Sequence, residues 1–141
     1  MAIQISRKSE YALRAVMYIA GLGEGKLYTA KNISGSKDIP LKFLEKILQN
    51  LVNSGLLSVT YGPKGGYRLA RGADKISFWD VIKAVEGAPR INRCIGEKPE
   101  CDDDECSMKG HWKHFQGQIE KMFEKTTIAE AIKPVAQAQA G

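Results

Sequence analysis

The three cysteines of this chain are the residues whose spacing most directly indicates chemistry. They fall within thirteen residues, as Cys94-x6-Cys101-x4-Cys106. An odd number of cysteines argues against a framework of disulfides, and thiolates are strong ligands for zinc and for iron-sulfur clusters. We therefore predict metal binding or redox chemistry at these cysteines, in a reducing compartment.

The sequence indicates which residues would bind a metal more clearly than it indicates which metal they would bind. Structural zinc sites usually separate their thiolates by about two to four residues and add a fourth ligand, which His111 or His114 could supply. An iron-sulfur cluster is larger than one ion and tolerates wider spacings on a flexible loop. The spacing by itself therefore leaves three possibilities open: an iron-sulfur cluster, either 2Fe-2S or 4Fe-4S, a zinc or other single-metal site, and metal-free thiols.

Charge is divided unevenly along the 141 residues. Residues 1–86 hold 13 Lys or Arg against seven Asp or Glu, a net charge of +6, whereas residues 87–141 hold eight against nine, a net charge of −1. The basic half is therefore the candidate nucleic-acid-binding part. The longest apolar run, residues 15–20, is far too short to cross a bilayer, so we expect a cytoplasmic protein with no membrane partner.

The basic half shows the pattern of a helix-turn-helix unit. Apolar residues recur at helical spacing over residues 9–22, and Thr29 is a predicted N-cap for a short helix through Ile33, before a Ser-Gly-Ser turn. A further helix opens at residues 38–40. Its outer face is basic and bears amides, as in a recognition helix that enters the major groove. Its inner face carries Leu41, Leu44, Leu48 and Leu51.

A hairpin and a fourth helix follow. Two β-prone runs, residues 56–61 and 67–70, are joined by Gly-Pro-Lys-Gly-Gly and predict a wing. A helix over residues 76–86 has Ser77 as its N-cap. The predicted fold class is mainly α with a small β wing: a winged helix-turn-helix DNA-binding domain over residues 1–87, plus a long C-terminal dimerisation helix. No spacing suggests a Ser, His and Asp set, so we do not expect an enzyme.

The C-terminal part divides into a loop, a helix and a tail. Residues 88–106 form a long cysteine-bearing loop for a metal or cluster, residues 107–133 a helix, and residues 134–141 a flexible tail. We predict that the helix pairs with the same helix of a second subunit in a homodimer. The alternative is that it folds back on its own domain. The predicted seam repeats at three and four residues in alternation, as Trp112, Phe115, Ile119, Met122, Thr126 and Ala129.

Four longer motifs resemble a known family. They are Ser-Glu-Tyr-Ala-Leu-Arg-Ala at residues 9–15, Ile-Pro-x-x-Phe-Leu-Glu-Lys-Ile-Leu at 39–48, Gly-Pro-Lys-Gly-Gly-Tyr-Arg-Leu-Ala at 62–70 and Val-Ile-x-x-Val-Glu-Gly at 81–87. With the three cysteines and the tryptophan-bearing helix that follow, they resemble the Rrf-type (IscR-, NsrR- and CymR-like) winged helix-turn-helix transcription regulators. The resemblance covers residues 1 to about 125.

The resemblance implies a dimer that binds a palindromic DNA operator, often with an iron-sulfur cluster at the three cysteines. In family members with a carboxylate ligand from the first helix of the partner subunit, that carboxylate precedes an aromatic residue, and Glu10 before Tyr11 matches this pattern. Where the family uses a histidine three residues past the last cysteine, this chain has Lys109. Glu10 is therefore the first candidate for a fourth ligand and His111 the second.

These features together predict a DNA-binding transcription regulator, in its simplest form a repressor. An iron-sulfur cluster would control its operator affinity, in response to redox state, nitric oxide or iron-sulfur status. The alternatives are a cluster-free or zinc-binding regulator of the same fold that responds to a small effector or protein partner, and an iron-sulfur carrier. Candidates for contact with DNA are Thr29, Lys42, Glu45, Lys46, Tyr61 and Lys64.

Overall fold

A computed structural model describes residues 4–23, 25–95, 99 and 105–133 of the chain. The described elements are, in chain order, α1 (Arg7–Gly21), α2 (Ala30–Lys37), α3 (Leu41–Asn53), β1 (Leu57–Thr60), β2 (Gly66–Leu69), a 3-10 turn (Ala73–Lys75), α4 (Phe78–Glu86), α5 (Lys109–Lys125) and α6 (Ile128–Ala131). The predicted fold class, mainly α with a small β wing, is confirmed. Within these residues, no helix has the length and apolar character needed to span a membrane.

Helix α1 brings small side chains to the centre of the domain. It begins after Ser6, whose hydroxyl accepts a hydrogen bond from the N–H of Ser9 at 3.1 Å. Because two of its buried residues are alanines, α3 and α4 can both pack closely against it. Its buried apolar face consists of Ala12, Ala15, Val16 and Ile19.

The helix-turn-helix unit is present, but its turn differs from the prediction. Thr29 caps α2 as expected, because its hydroxyl accepts from the N–H of Asn32 and the Asn32 side chain accepts from the N–H of Thr29, each at 3.1 Å. The predicted helix end at Ile33 and the Ser-Gly-Ser turn are wrong, since α2 continues to Lys37. The chain reverses at Asp38 instead, in the left-handed conformation that aspartate tolerates (φ 54°, ψ 47°).

Helix α3 and the wing pack against the same core. Strands β1 and β2 are antiparallel, with Thr60 opposite Gly66. Tyr28 lies along the other edge of β2 and exchanges two backbone hydrogen bonds with Tyr67, at 3.0 and 2.8 Å. A Cβ on Gly66 would lie 2.9 Å from the Tyr28 backbone, so glycine is required for this close pairing. The inner face of α3 buries Leu44, Ile47, Leu48 and Leu51.

Helix α4 is capped at both ends and lies between α1 and α5. The N–H of Asp80 donates to the Ser77 hydroxyl at 3.1 Å, and the N–H of Ser77 donates to the Asp80 carboxylate at 3.0 Å. This is the predicted capping arrangement, and Gly87 (φ 79°) ends the helix. Trp79 packs against Phe123 of α5, with ring centroids 6.3 Å apart. The core face of α4 is Val81, Ile82 and Val85.

The prediction of one continuous helix over residues 107–133 is wrong. Helix α5 ends at Lys125, and the separate helix α6 follows an extended segment. Thr126 and Thr127 are β-branched residues, which lose side-chain freedom in a helix, and both adopt extended backbone. The Thr127 hydroxyl then caps α6 by accepting from the N–H of Glu130 at 3.2 Å. Thr126 and Ala129 therefore do not continue the apolar seam of α5.

The segment after α5 is anchored on the winged domain. The N–H of Phe78 donates to the carbonyl of Thr126 at 3.0 Å, and the N–H of Ile128 donates to the carbonyl of Ile76 at 2.8 Å. Ile128 is fully buried in the same core as α1 and α3. The alternative in which the C-terminal region folds back on its own domain is therefore correct for residues 126–131.

We expect Ile128→Ala to lower the free energy of unfolding by about 2–5 kcal/mol, because it leaves a cavity in the core. Ile132→Ala is the control: Ile132 is 36% exposed, and its truncation should cost about 1 kcal/mol or less. Urea unfolding at equal protein concentrations measures both. Equal losses would show that Ile128 does not anchor the chain.

Candidate DNA interface and cysteine site

The outer face of α3 presents side chains that were predicted to read DNA. Lys42, Glu45 and Lys46 are exposed in its first two turns, away from the buried Leu44 and Leu48. Ammonium groups can donate to guanine and a carboxylate can accept from cytosine at the base edges of the major groove. Because α2 packs against α3, the pair has the arrangement in which the second helix is the recognition helix.

Two further predicted positions flank this helix. Thr29 is exposed at the start of α2, and its hydroxyl caps that helix by accepting from the N–H of Asn32. At the wing tip, Tyr61 is 87% exposed and Lys64 is also exposed. The tip is a tight turn in which the N–H of Gly65 donates to the carbonyl of Gly62 at 3.0 Å.

Tyr67, on strand β2 of the wing, is a residue whose ionisation is altered by its surroundings. Burial raises the pKa of Tyr67 above its ordinary value, and the nearby Tyr61 and Glu45 raise it further. The phenol therefore stays protonated and neutral at physiological pH. Strand β1 of the wing packs directly against α3.

Cys94 is held in a tight turn between α4 and α5. The N–H of Ile95 donates to the carbonyl of Asn92 at 3.1 Å, which makes Cys94 the third residue of a β-turn. Ile95 is buried, and the guanidinium of Arg90 makes long contacts, 3.5 Å each, to the carbonyls of Arg93 and Ile95. The half-buried Cys94 thiol is therefore carried by an ordered turn.

Cys106 lies directly before α5 and shares a cleft with Cys94. The N–H of Lys109 donates to the Cys106 carbonyl at 3.2 Å, which leads the chain into the helix. The cleft encloses about 100 Å³. Sulfur donors, apolar side chains and two cations suit a thiolate-bound metal group, because the cations offset thiolate charge. The cleft is lined by Asn92, Arg93, Cys94, Cys106, Met108, Lys109 and Trp112.

The structure thus brings together two of the three predicted thiolate ligands. Cys101 lies outside the described residues. Within the ranges that are described, no set of three or more His, Cys, Asp or Glu side chains could hold a metal ion.

Neither candidate for the fourth ligand is among the described residues that line this cleft. The carboxylate of Glu10, on α1, accepts from the Arg14 guanidinium at 2.8 Å. That guanidinium also lies 5.7 Å from the centre of the Tyr11 ring. His111 is exposed in the first turn of α5. Both candidate side chains are therefore exposed on the chain itself.

Sequence reasoning missed Gln116, on the side of α5 that faces the cysteine-bearing loop. It is only 6% exposed. Its Nε2 donates to the Pro89 carbonyl at 2.7 Å and to the Glu120 carboxylate at 3.0 Å, and its Oε1 accepts from the N–H of Ile91 at 2.9 Å. A glutamine beside the predicted seam carries little signal in the sequence, since most such residues on amphipathic helices are exposed.

The four residues of the predicted dimer seam that lie in α5 differ in exposure. Phe115 and Met122 are 47% and 60% exposed, although both are large and apolar. Trp112 and Ile119 are half-buried, and the Trp112 ring packs edge to face on Phe115 with centroids 6.0 Å apart. Trp112 therefore lies between the cysteine cleft and the exposed apolar side of α5.

The sequence profile of the Rrf2 family, described as an iron-dependent transcriptional regulator, matches residues 5–134. This chain belongs to the Rrf2 family. The HTH-type transcriptional regulator IscR of Escherichia coli is 28% identical over 130 residues, which cover 92% of this chain and 80% of that protein.

Solved structures of Rrf2-type regulators have the same fold. T. potens IscR is 27% identical and superposes with a TM-score of 0.77, covering 99% of this chain and 93% of its own. CymR (YrzC), the global cysteine regulator of B. subtilis, superposes with a TM-score of 0.77 at 24% identity, covering 93% of this chain and 97% of its own. The CymR similarity supports the winged fold alone.

As an Rrf2 protein, this chain is a helix-turn-helix transcription regulator that binds DNA, and it is not an enzyme. The exposed outer face of α3 and the wing tip are the surface predicted for that binding. The six individual DNA contacts named from the sequence stay predictions.

Proposed function

We propose that this Rrf2 protein is a homodimeric repressor in the cytoplasm, with an iron-sulfur cluster at Cys94, Cys101 and Cys106 that controls its affinity for a palindromic operator. The observation that most directly supports this proposal is the cleft shared by Cys94 and Cys106. One thiol comes from a turn after α4 and the other from the approach to α5. A group bound by both would tie these two parts of the chain together.

The residues around the cleft suit such a group. Arg93 and Lys109 bring positive charge to the thiolates, and Met108 and Trp112 add apolar surface that limits water. When bound, the cluster would supply a redox-active iron centre whose potential depends on these surroundings. Redox state, nitric oxide and iron-sulfur status are the signals that we propose for it.

The fourth ligand that we propose is Glu10 of the partner subunit, with His111 as the second candidate. A carboxylate is a harder ligand than a thiolate and would be the first of the four to leave soft iron-sulfur coordination. Arg14, which holds Glu10 at 2.8 Å within the chain, is then its competing partner. An exchange of Glu10 between Arg14 and the cluster would make the site responsive.

The homodimer would form through the exposed apolar side of α5. Phe115 and Met122 lie two turns apart on that side, and burying them against a second copy removes apolar surface from water. Loss of the cluster would release the Cys94 turn from the start of α5. That release would change how the two recognition helices are spaced on a palindromic operator.

Anaerobically purified protein should show visible charge-transfer absorption, with iron and acid-labile sulfide near stoichiometry per chain. Cys94→Ser should abolish both, because it removes one of the thiolates, and Glu10→Ala should speed cluster loss. Lys113→Ala is the control and should retain the cluster, since Lys113 is exposed and is not among the residues that line the cleft. Colourless protein with zinc, or without metal after reconstitution, would identify a zinc-binding or cluster-free regulator instead.

The double variant Phe115→Lys, Met122→Lys should sediment as a monomer, because it places two charges in an apolar contact. Glu124→Lys changes the net charge by the same amount on another side of α5 and should remain dimeric. A wild-type chain that sediments as a monomer at micromolar concentration would contradict the proposed homodimer.

Lys42→Ala should reduce discrimination between operator and random DNA by about 1–3 kcal/mol, because it removes a base contact. Lys64→Ala should weaken binding to both DNAs and lower the salt slope by about one per subunit, because it removes a phosphate contact. Lys121→Ala on α5 is the control. Fluorescence anisotropy at several salt concentrations, on an operator selected from random duplexes, measures each effect. Equal losses on both DNAs for both variants would contradict these assignments.

A further inference from the structure

We infer that Gln116 is the positioning residue that attaches the cysteine-bearing loop to α5 and so fixes Cys94 relative to Cys106. The role of Gln116 in cluster binding rests on the proposed function. Its role in holding the loop rests only on the contacts of its side chain.

The Gln116 amide pairs with the loop as a backbone peptide group would. Its Nε2 donates to the Pro89 carbonyl at 2.7 Å, and its Oε1 accepts from the N–H of Ile91 at 2.9 Å. The Glu120 carboxylate, one turn further along α5, accepts the second Nε2 hydrogen at 3.0 Å and so orients the amide. A buried amide with its donors and acceptor satisfied in this way selects one conformation of its partners.

The same loop segment leads directly to Cys94. Beyond Ile91, the Asn92 carbonyl closes the β-turn that carries Cys94, and the Arg90 side chain reaches over the same turn. Ile95 ends the turn as a buried residue. The position of the Cys94 thiol therefore follows from where residues 89–91 are held.

Cys106 is attached to the same helix at a different point. The N–H of Lys109, the first residue of α5, bonds to the Cys106 carbonyl. Gln116 lies seven residues further along, a rise of about 10 Å. Both described cysteines are thus located by α5, one through its first backbone N–H and the other through the side chain of Gln116.

The rest of α5 is held independently of Gln116. Phe123 packs on Trp79, and the backbone after α5 bonds to residues 76 and 78. Removing the Gln116 hydrogen bonds should therefore free the Cys94 turn without detaching the helix. This separation allows a positioning role to be measured apart from a general contribution to stability.

The test uses thiol reactivity, which requires no cluster. In the Cys101→Ser, Cys106→Ser background Cys94 is the only thiol, and in the Cys94→Ser, Cys101→Ser background Cys106 is the only thiol. Gln116→Leu keeps side-chain volume and removes the hydrogen bonds. It should raise the rate at which Cys94 reacts with a pyridyl disulfide reagent by about tenfold and leave the rate of Cys106 unchanged. Gln118→Leu, at an exposed position of α5, should alter neither rate.

The Gln116→Glu variant gives a pH-dependent reaction rate that would not be expected if Gln116 only filled space. An ionised carboxylate can accept from Ile91 but cannot donate to Pro89, and it would repel the Glu120 carboxylate, which Nε2 of Gln116 contacts at 3.0 Å. A protonated carboxyl can accept from Ile91 and donate to Pro89. The rate of Cys94, taken relative to that of Cys106, should be high at neutral pH and approach the wild-type ratio as the pH falls. Circular dichroism and the urea midpoint of each variant show whether it is folded.

Three outcomes would overturn the inference: unchanged Cys94 reactivity in Gln116→Leu, equal acceleration of Cys94 and Cys106, or no pH dependence of the ratio in Gln116→Glu. Iron release to a chelator from reconstituted protein with all three cysteines should also be faster in Gln116→Leu. If the wild-type chain binds no cluster, the proposed function fails, and the thiol rates still decide whether Gln116 positions Cys94.

Discussion

The burial of α4 between α1 and α5 is the constraint on which the rest of the structure depends. Val81 and Val85 lie in the core that also holds α1 and α3, and Trp79 packs on Phe123 of α5. The strand-like segment before α4 also receives the chain after α5, through the Ile76 carbonyl. Because apolar burial is the main favourable term in folding, this packing sets where α5 and the cysteine cleft lie relative to the recognition helix.

The different sides of helix α5 make different contacts. Phe123 and the buried amide of Gln116 face the chain itself, whereas Phe115 and Met122 are exposed. Trp112 lies between these two sides and borders the cysteine cleft. A change at the cleft therefore occurs on the same rigid element that would form the dimer contact. In the proposed switch, α5 alone would connect the cysteines with a second subunit.

Local sequence signals were sufficient for most of the winged domain. The caps of α2 and α4 at Thr29 and Ser77, and the glycine-rich hairpin between β1 and β2, were all predictable. Each depends on residues within about five positions of one another, so neighbouring side chains and backbone decide the outcome. The three cysteines, together with the motifs of the winged domain, likewise indicated the family from the sequence.

The sequence by itself determined the winged fold class and the Rrf2 family, because these depend on residue types and short spacings. Tertiary structure alone decided that the chain after α5 returns to the winged domain and that Gln116 is a buried hydrogen-bonding residue. In both cases a distant partner decided the outcome, namely the core that accepts Ile128 and the carbonyl of Pro89. Spacing along the chain carries no information about such partners, since packing brings them together only when the domain folds.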